Sequence, residues 1–175
     1  MRIIREEGPE DFAAIHHVNE RAFDNSAEAD LVDLLRAHGK VSLSLVAVDD
    51  DRILGHILFS PVKIEVATEQ SEKTISAVGL APLAVLPEFQ NQGIGSLLVR
   101  SGLEQCRKSG HDCVVVLGHP EYYPRFGFVP ASRHGIKSEF YVIRDGAFMV
   151  LELYEHALSD CEGTVKYQPE FDTFK

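Results

Sequence analysis

Residues Leu83-Ala84-Val85-Leu86-Pro87-Glu88-Phe89-Gln90-Asn91-Gln92-Gly93-Ile94-Gly95-Ser96 carry the most readable chemistry of this chain. An apolar strand runs into a Pro-bounded turn, then a polar loop with two glycines, then an amphipathic helix. That order turns a run of backbone N–H groups and a helix N-terminus toward one spot, which suits a phosphate anion. Gly93 and Gly95 have no Cβ, so a ligand oxygen can come close to the backbone. The loop holds no lysine, which leaves the work to backbone amides. It is not a P-loop, because no lysine or threonine follows Gly95 at the required spacing. Nor is it a dinucleotide fingerprint, because position 98 is Leu and Leu86 to Gln92 separate the glycines from the strand. The plain alternative is an ordinary helix start with small residues for packing.

A second segment narrows the choice. Tyr122-Tyr123-Pro124-Arg125-Phe126-Gly127-Phe128 follows another apolar strand, Cys113-Val114-Val115-Val116-Leu117. Gln90-x-x-Gly93-x-Gly95 after a strand and a Pro turn resembles the acyl-CoA pyrophosphate loop of the GNAT superfamily of N-acyltransferases. The Tyr122–Phe128 segment resembles that family's aromatic-Tyr-x-x-x-Gly-Phe element. The two come in the family's order, each after the right element. The resemblance is strongest over residues 40–130 and looks closest to a mostly uncharacterised bacterial subgroup.

The resemblance implies acetyl-CoA as co-substrate. Backbone groups of Leu83 and Val85, with Ala84 between them, would bind the acyl carbonyl and the pantetheine amides. Gln90 and the amides of Asn91, Gln92, Gly93, Ile94, Gly95 and Ser96 would hold the pyrophosphate. Tyr123 matches the tyrosine that faces the thioester sulfur. A phenol titrates near pH ~10 and a thiol near ~8.5, so Tyr123 is read as a hydrogen-bond donor to the developing thiolate. A tyrosine packed beside Phe126 and Phe128 is the alternative. The chain departs from the family at Val116, where many members carry a polar residue. His119, at the end of the same strand, could replace it or act as a base; an exposed or capping histidine is the other reading. Glu28, Asp30, His16 and His17 lie in the first two helices, which in the family help form the acceptor site. Each also reads as an ordinary exposed helix residue, and no base is named. His111 and Cys113 lack a second ligand pair, so no metal is expected.

The elements that must position these groups follow from pattern. Residues 2–6 read as a strand, and Pro9 with Glu10 and Asp11 starts a first helix. Ser26 opens a second helix that Gly39 ends. Leu43 to Val48 and Ile53 to Phe59 form a hairpin, with Val62 to Val66 continuing beyond Pro61, and Thr68 to Lys73 a polar loop. Ala77 to Val85 leads into the phosphate loop, and Pro82 within it predicts a bulge or a local break in pairing. Ile94 to Lys108 is a helix. Phe140–Ile143 and Phe148–Leu153 read as a hairpin turned by Asp145-Gly146, and Glu162 to Lys175 carry little pattern. The expected fold is α+β and layered: a mixed, twisted sheet of about six to seven strands flanked by about four helices. The resemblance adds splayed strands at residues 77–85 and 113–117.

The 175 residues suit one domain, residues 1–175, with a core over about 2–155. A formal charge of −10 argues against a nucleic acid or an anionic membrane as partner. Met1-Arg2-Ile3-Ile4-Arg5 lacks the apolar run expected of a signal peptide, and no stretch reads as long enough to span a bilayer. Cys106, Cys113 and Cys161, without C-x-x-C spacing, suit reduced cysteines in the cytoplasm. The chain thus reads as an acetyl-CoA-dependent N-acetyltransferase using direct ternary-complex transfer, acting on an amine-bearing small molecule or a peptide or protein, and compatible with a homodimer. A non-catalytic acyl-CoA-binding sensor is the rival reading.

Overall fold

Strands and helices alternate along the chain much as the apolar pattern predicts, and the computed structural model describes residues 1–66, 74–142, 144 and 146–174. In chain order it holds β1 (Arg2–Glu6), α1 (Phe12–Phe23), α2 (Ala27–Ala37), β2 (Leu43–Asp49), β3 (Arg52–Val66), β4 (Ala77–Val85) and α3 (Ile94–Lys108). Then come β5 (Cys113–Leu117), β6 (Val129–Pro130), β7 (Ile136–Ser138), β8 (Phe148–Glu152) and β9 (Gly163–Lys166), with short 3-10 turns between elements. The backbone clusters into two compact units: Met1–Ser60 with Ala81–Glu104, and Pro61–Leu80 with Gln105–Lys175.

In the first unit the strands lie in the order β1-β2-β3-β4. β1 and β2 pair antiparallel with Ile4 opposite Ala47, and β2 and β3 with Val46 opposite His56. Alternating apolar residues place Leu45, Ile57 and Phe59 in the core, together with Ile15 and Val18 of α1, Leu35 of α2 and Leu98 of α3. Gly55 lets these layers meet: a Cβ there would lie 3.1 Å from the Ala84 carbonyl oxygen and 3.0 Å from the Leu98 side chain. At the start of α1, Asp11 accepts hydrogen bonds from the Gly8 N–H at 2.7 Å and from Arg5 at 2.6 Å. The Arg5 guanidinium holds the Asp11 carboxyl below its ordinary range. Pro9 thus sits in a closed turn that fixes where α1 begins.

The second unit is built on β5, which pairs parallel with β4 and antiparallel with β8. The rest of β3 pairs with β9, and β9 runs parallel to β7. Val62, Cys113, Val115, Ile136, Val150, Leu158 and Val165 form its core. The β4–β5 ladder covers only Ala77↔Cys113 to Gly79↔Val115, whereas β5 continues to Leu117 against β8. That ladder ends at Gly79↔Val115, before Pro82, whose missing N–H could not donate to one.

The mixed α+β architecture expected from the sequence is present. Among the described residues there are nine strands, of which β6, β7 and β9 are two to four residues long and too short to show a period, and three α-helices beside short 3-10 turns. One expectation needs correcting. The hairpin assigned to residues 140–153 does not form: residues 140–142 are not strand, and β8 pairs with β5 and β6 instead. Ile143 and Asp145 of that hairpin, and the loop expected at Thr68 to Lys73, lie outside the described residues. Val62 to Val66 do extend β3 beyond Pro61.

Candidate functional site

The phosphate loop belongs to the first unit and is assembled by short-range bonds. Leu86, buried, donates its N–H to the Leu54 carbonyl at 2.9 Å, tying the end of β4 to β3. Pro87–Phe89 then make one 3-10 turn, closed by the Phe89 N–H on the Leu86 carbonyl at 2.8 Å. Asn91 (φ 63°) and Gly93 (φ 82°) are left-handed, and this reverses the chain into α3. No atom lies within 4 Å of where a Gly93 Cβ would be, so the glycine is demanded by its backbone angle and leaves open space beside it. The Leu97 N–H makes the first helical bond, to the Gly93 carbonyl at 3.0 Å. The N–H groups of Ile94, Gly95 and Ser96 precede that bond and so have no acceptor within their helix. They sit at the positive end of the helix dipole, where an anion is stabilised.

Side chains of the loop hold it rather than reach outward. Gln90 donates Nε2 to the Val85 carbonyl at 3.0 Å, and Gln92 accepts from Arg2 at 2.7 Å. Glu88 takes Arg21 at 3.1 Å and Arg52 at 3.3 Å, and the Arg52 guanidinium lies 5.1 Å from the centre of the Phe89 ring. Its own backbone N–H, then these arginines, keep the Glu88 carboxyl below its usual range. Sequence reasoning missed Arg2, Arg21 and Arg52, which stand 90, 67 and 36 positions from their partners. No local pattern links residues that far apart. Of the strand residues named beforehand, Ala84 is buried, while Leu83 and Val85 are partly exposed on alternate positions of β4.

Tyr123 belongs to the second unit, where the Tyr123–Phe126 3-10 turn follows β5. Its ring is 8% exposed and meets Tyr122 edge-on at 5.1 Å and Phe128 at 5.6 Å between centroids. Gly118 makes the room: a Cβ there would stand 2.5 Å from the Tyr123 ring. Burial first, then Tyr122, pushes the Tyr123 phenol well above its ordinary pKa, so it stays a protonated donor. Gly127 (φ 100°) ends the turn, its N–H on the Pro124 carbonyl at 3.0 Å, and Phe128 then returns to the core. His119 is exposed, and its backbone carbonyl accepts the Tyr122 N–H at 3.1 Å. That carbonyl starts the turn that carries Tyr123.

The remaining candidates divide. His16 Nδ1 lies 2.7 Å from Asp33 Oδ2, pairing α1 with α2. His17 and Asp30 are exposed, and Glu28 has one buried carboxylate oxygen without a hydrogen-bond partner among the described residues. His111 is hydrogen-bonded to Ser76 at 3.0 Å. Among the described residues no group of three or more His, Cys, Asp or Glu converges as a cation site, and no helix is long and apolar enough to cross a membrane.

Comparison with known proteins agrees with this arrangement. Residues 3–131 match the model of the acetyltransferase (GNAT) domain. The uncharacterised N-acetyltransferase YhbS of Escherichia coli K12 is 37% identical over 173 residues, covering 98% of this chain and 99% of the relative. The crystal structure of E. coli YhbS in complex with CoA superposes with a TM-score of 0.91 at 36% identity, covering 99% of this chain and 93% of that one. A GNAT-family acetyltransferase from Brucella melitensis in complex with acetyl-CoA gives a TM-score of 0.78 at 38% identity, over 98% of this chain and 99% of that one. With a family match over most of its length and relatives aligned end to end, the chain belongs to the GNAT family of acetyltransferases.

Proposed function

We propose that the protein transfers an acetyl group from acetyl-CoA directly to a primary amine. The observation that carries this reading is Tyr123: a buried phenol held protonated, in a segment the sequence likens to the family's thiolate-facing tyrosine. The amides of residues 91–96 hold the diphosphate of CoA, and the backbone of Leu83 and Val85 receives the pantetheine arm and the acyl carbonyl. CoA in the YhbS structure and acetyl-CoA in the Brucella structure support that choice of co-substrate. No metal enters the reaction.

The neutral amine attacks the thioester carbonyl carbon, and a C–N bond forms while the carbonyl oxygen becomes an oxyanion. A strand N–H stabilises that charge in place. Collapse breaks the C–S bond, and the Tyr123 hydroxyl donates to the sulfur that leaves. The proton lost by nitrogen passes to water. Holding amine and thioester together supplies much of the rate. Direct transfer is favoured over an acyl-cysteine route by the thiols: all three are buried, and burial pushes Cys106 and Cys113 up to about 12, far from thiolate at neutral pH. The whole chain serves as one transferase domain, supported by relatives that match 98% of it. A cytoplasmic setting suits three free thiols.

The test is calorimetric titration with CoA and acetyl-CoA, followed by thiol release over a panel of small amines and peptides. Micromolar binding with acceptor-dependent thiol release is expected. Binding without turnover on any amine would replace the enzyme with an acyl-CoA sensor, and absence of binding would overturn the reading of residues 90–96.

A further inference from the structure

The loop that resembles a pyrophosphate site places its first polar residue somewhere other than toward a phosphate. Gln90 leaves the 3-10 turn with an extended backbone (φ −68°, ψ 158°), and its side chain turns back along the chain. Nε2 reaches the carbonyl of Val85, the last residue of β4, at 3.0 Å. Within the same turn the Gln90 N–H reaches the Pro87 carbonyl at 3.4 Å. The side chain of Gln92 is also turned inward, between Arg2 at 2.7 Å and the Glu88 carbonyl at 3.5 Å. Both glutamine side chains thus bond within the protein, beside the backbone amides at the start of α3 that have no helical acceptor.

From this geometry we propose that Gln90 is a positioning residue, which aims the Val85 carbonyl through its side-chain amide, and not a phosphate ligand. A carbonyl oxygen has two lone pairs. Gln90 occupies one and fixes the peptide plane, leaving the second for an incoming N–H. This rests on the proposed function, in which Val85 receives an amide of the pantetheine arm. It assigns Gln90 to the arm and the reacting thioester, although its place in the sequence is that of the diphosphate contact. The strap also couples the end of β4 to the loop across five positions, so the arm and the diphosphate meet one rigid surface.

The test replaces Gln90 with methionine, which keeps length and removes the donor, and with arginine, which restores donors of similar reach. Gln90 is exposed, so both variants are expected to fold, checked by melting temperature. A residue that only binds diphosphate holds ground state and transition state alike, and its loss raises KM with kcat unchanged. A residue that aims Val85 acts on the thioester, so Gln90→Met is expected to lower kcat about 3- to 10-fold along with its effect on KM, and Gln90→Arg to recover kcat. A rise in KM alone, or no change in either, overturns the proposal. A wild type that binds CoA without ever releasing thiol removes the proposed function instead. Calorimetry then decides: Gln90→Met should weaken CoA several-fold and leave adenosine 3′-phosphate 5′-diphosphate, which lacks the arm, unchanged. Equal weakening of both, or of neither, overturns the strap.

Discussion

The Gln90–Ser96 loop and the Tyr123 segment solve opposite problems with opposite means. The loop is polar and largely exposed, and it carries two left-handed residues, Asn91 and Gly93. In the proposed function its working groups are backbone amides, aligned by a helix start beside the bonds of Gln90 and Gln92. Tyr123 is the reverse: one side chain, buried among Tyr122, Phe126 and Phe128, with Gly118 cleared away beneath it. An anion needs many weak donors and open access. Burial in a low-dielectric wall raises the phenol's pKa further above neutral, which suits it to donate a hydrogen bond and not a proton. Apart from Gln90, whose strap reaches the Val85 carbonyl, binding and chemistry should therefore separate when either region is altered.

The largest effect is expected at Gly118. Gly118→Ala puts a methyl 2.5 Å from the Tyr123 ring and should displace it. We expect kcat to fall about 100-fold, the size of a lost hydrogen-bond donor to transition-state charge, while CoA affinity stays within about threefold. Steady-state kinetics beside calorimetry reads both, and a parallel loss of affinity would break the comparison.

Burial that holds a group neutral has a second example, and its cost appears in stability. His56 is fully buried between Asn19 at 3.1 Å and Ser44 at 2.8 Å, and desolvation, then the Arg36 charge, lowers its pKa from 6.5 to about 3. The unfolded chain takes up this proton first as pH falls. The contribution is therefore complete above pH 6.5 and is lost progressively on the way down to about 3. Between pH 6.5 and about 5 that amounts to roughly 2 kcal/mol. Urea denaturation across this range checks it, and His56→Gln should flatten the slope.

In the exposed region the expected effects are smaller. Gly93→Ala forces a Cβ into a left-handed backbone at a cost of about 1–2 kcal/mol, so CoA should bind about tenfold more weakly with kcat nearly unchanged. An equal fall in kcat at saturating acetyl-CoA would show that the loop takes part in chemistry. Smallest of all is Glu88→Gln. Exposed ion pairs with Arg21 and Arg52 are screened, so affinity should change by about twofold in low salt and not in high salt.

What the sequence made legible follows from the range of the forces involved. Gly93, the Pro87 turn, the run of apolar residues in β4 and the aromatic spacing around Tyr123 are local, and each was readable from neighbours. That a ladder would not run through Pro82 was also readable, because proline lacks an N–H. Long-range partners were not: Arg2 on Gln92 and the two arginines on Glu88 depend on strand order, which local pattern leaves open. The inward turn of Gln90 was equally hidden, since a glutamine written in a loop says nothing about which acceptor it finds. β7 and β9 failed for another reason, since their few residues become strand only by pairing with each other and with β3.

One variant separates the binding proposed for the loop from the chemistry proposed for Tyr123. Tyr123→Phe removes only the hydroxyl from a packed ring. Turnover and CoA affinity are measured on the same preparation of this variant and of the wild type. In Tyr123→Phe kcat is expected to fall about 100-fold with CoA affinity unchanged within about twofold. Unchanged turnover, or affinity that falls as far as kcat does, would contradict it.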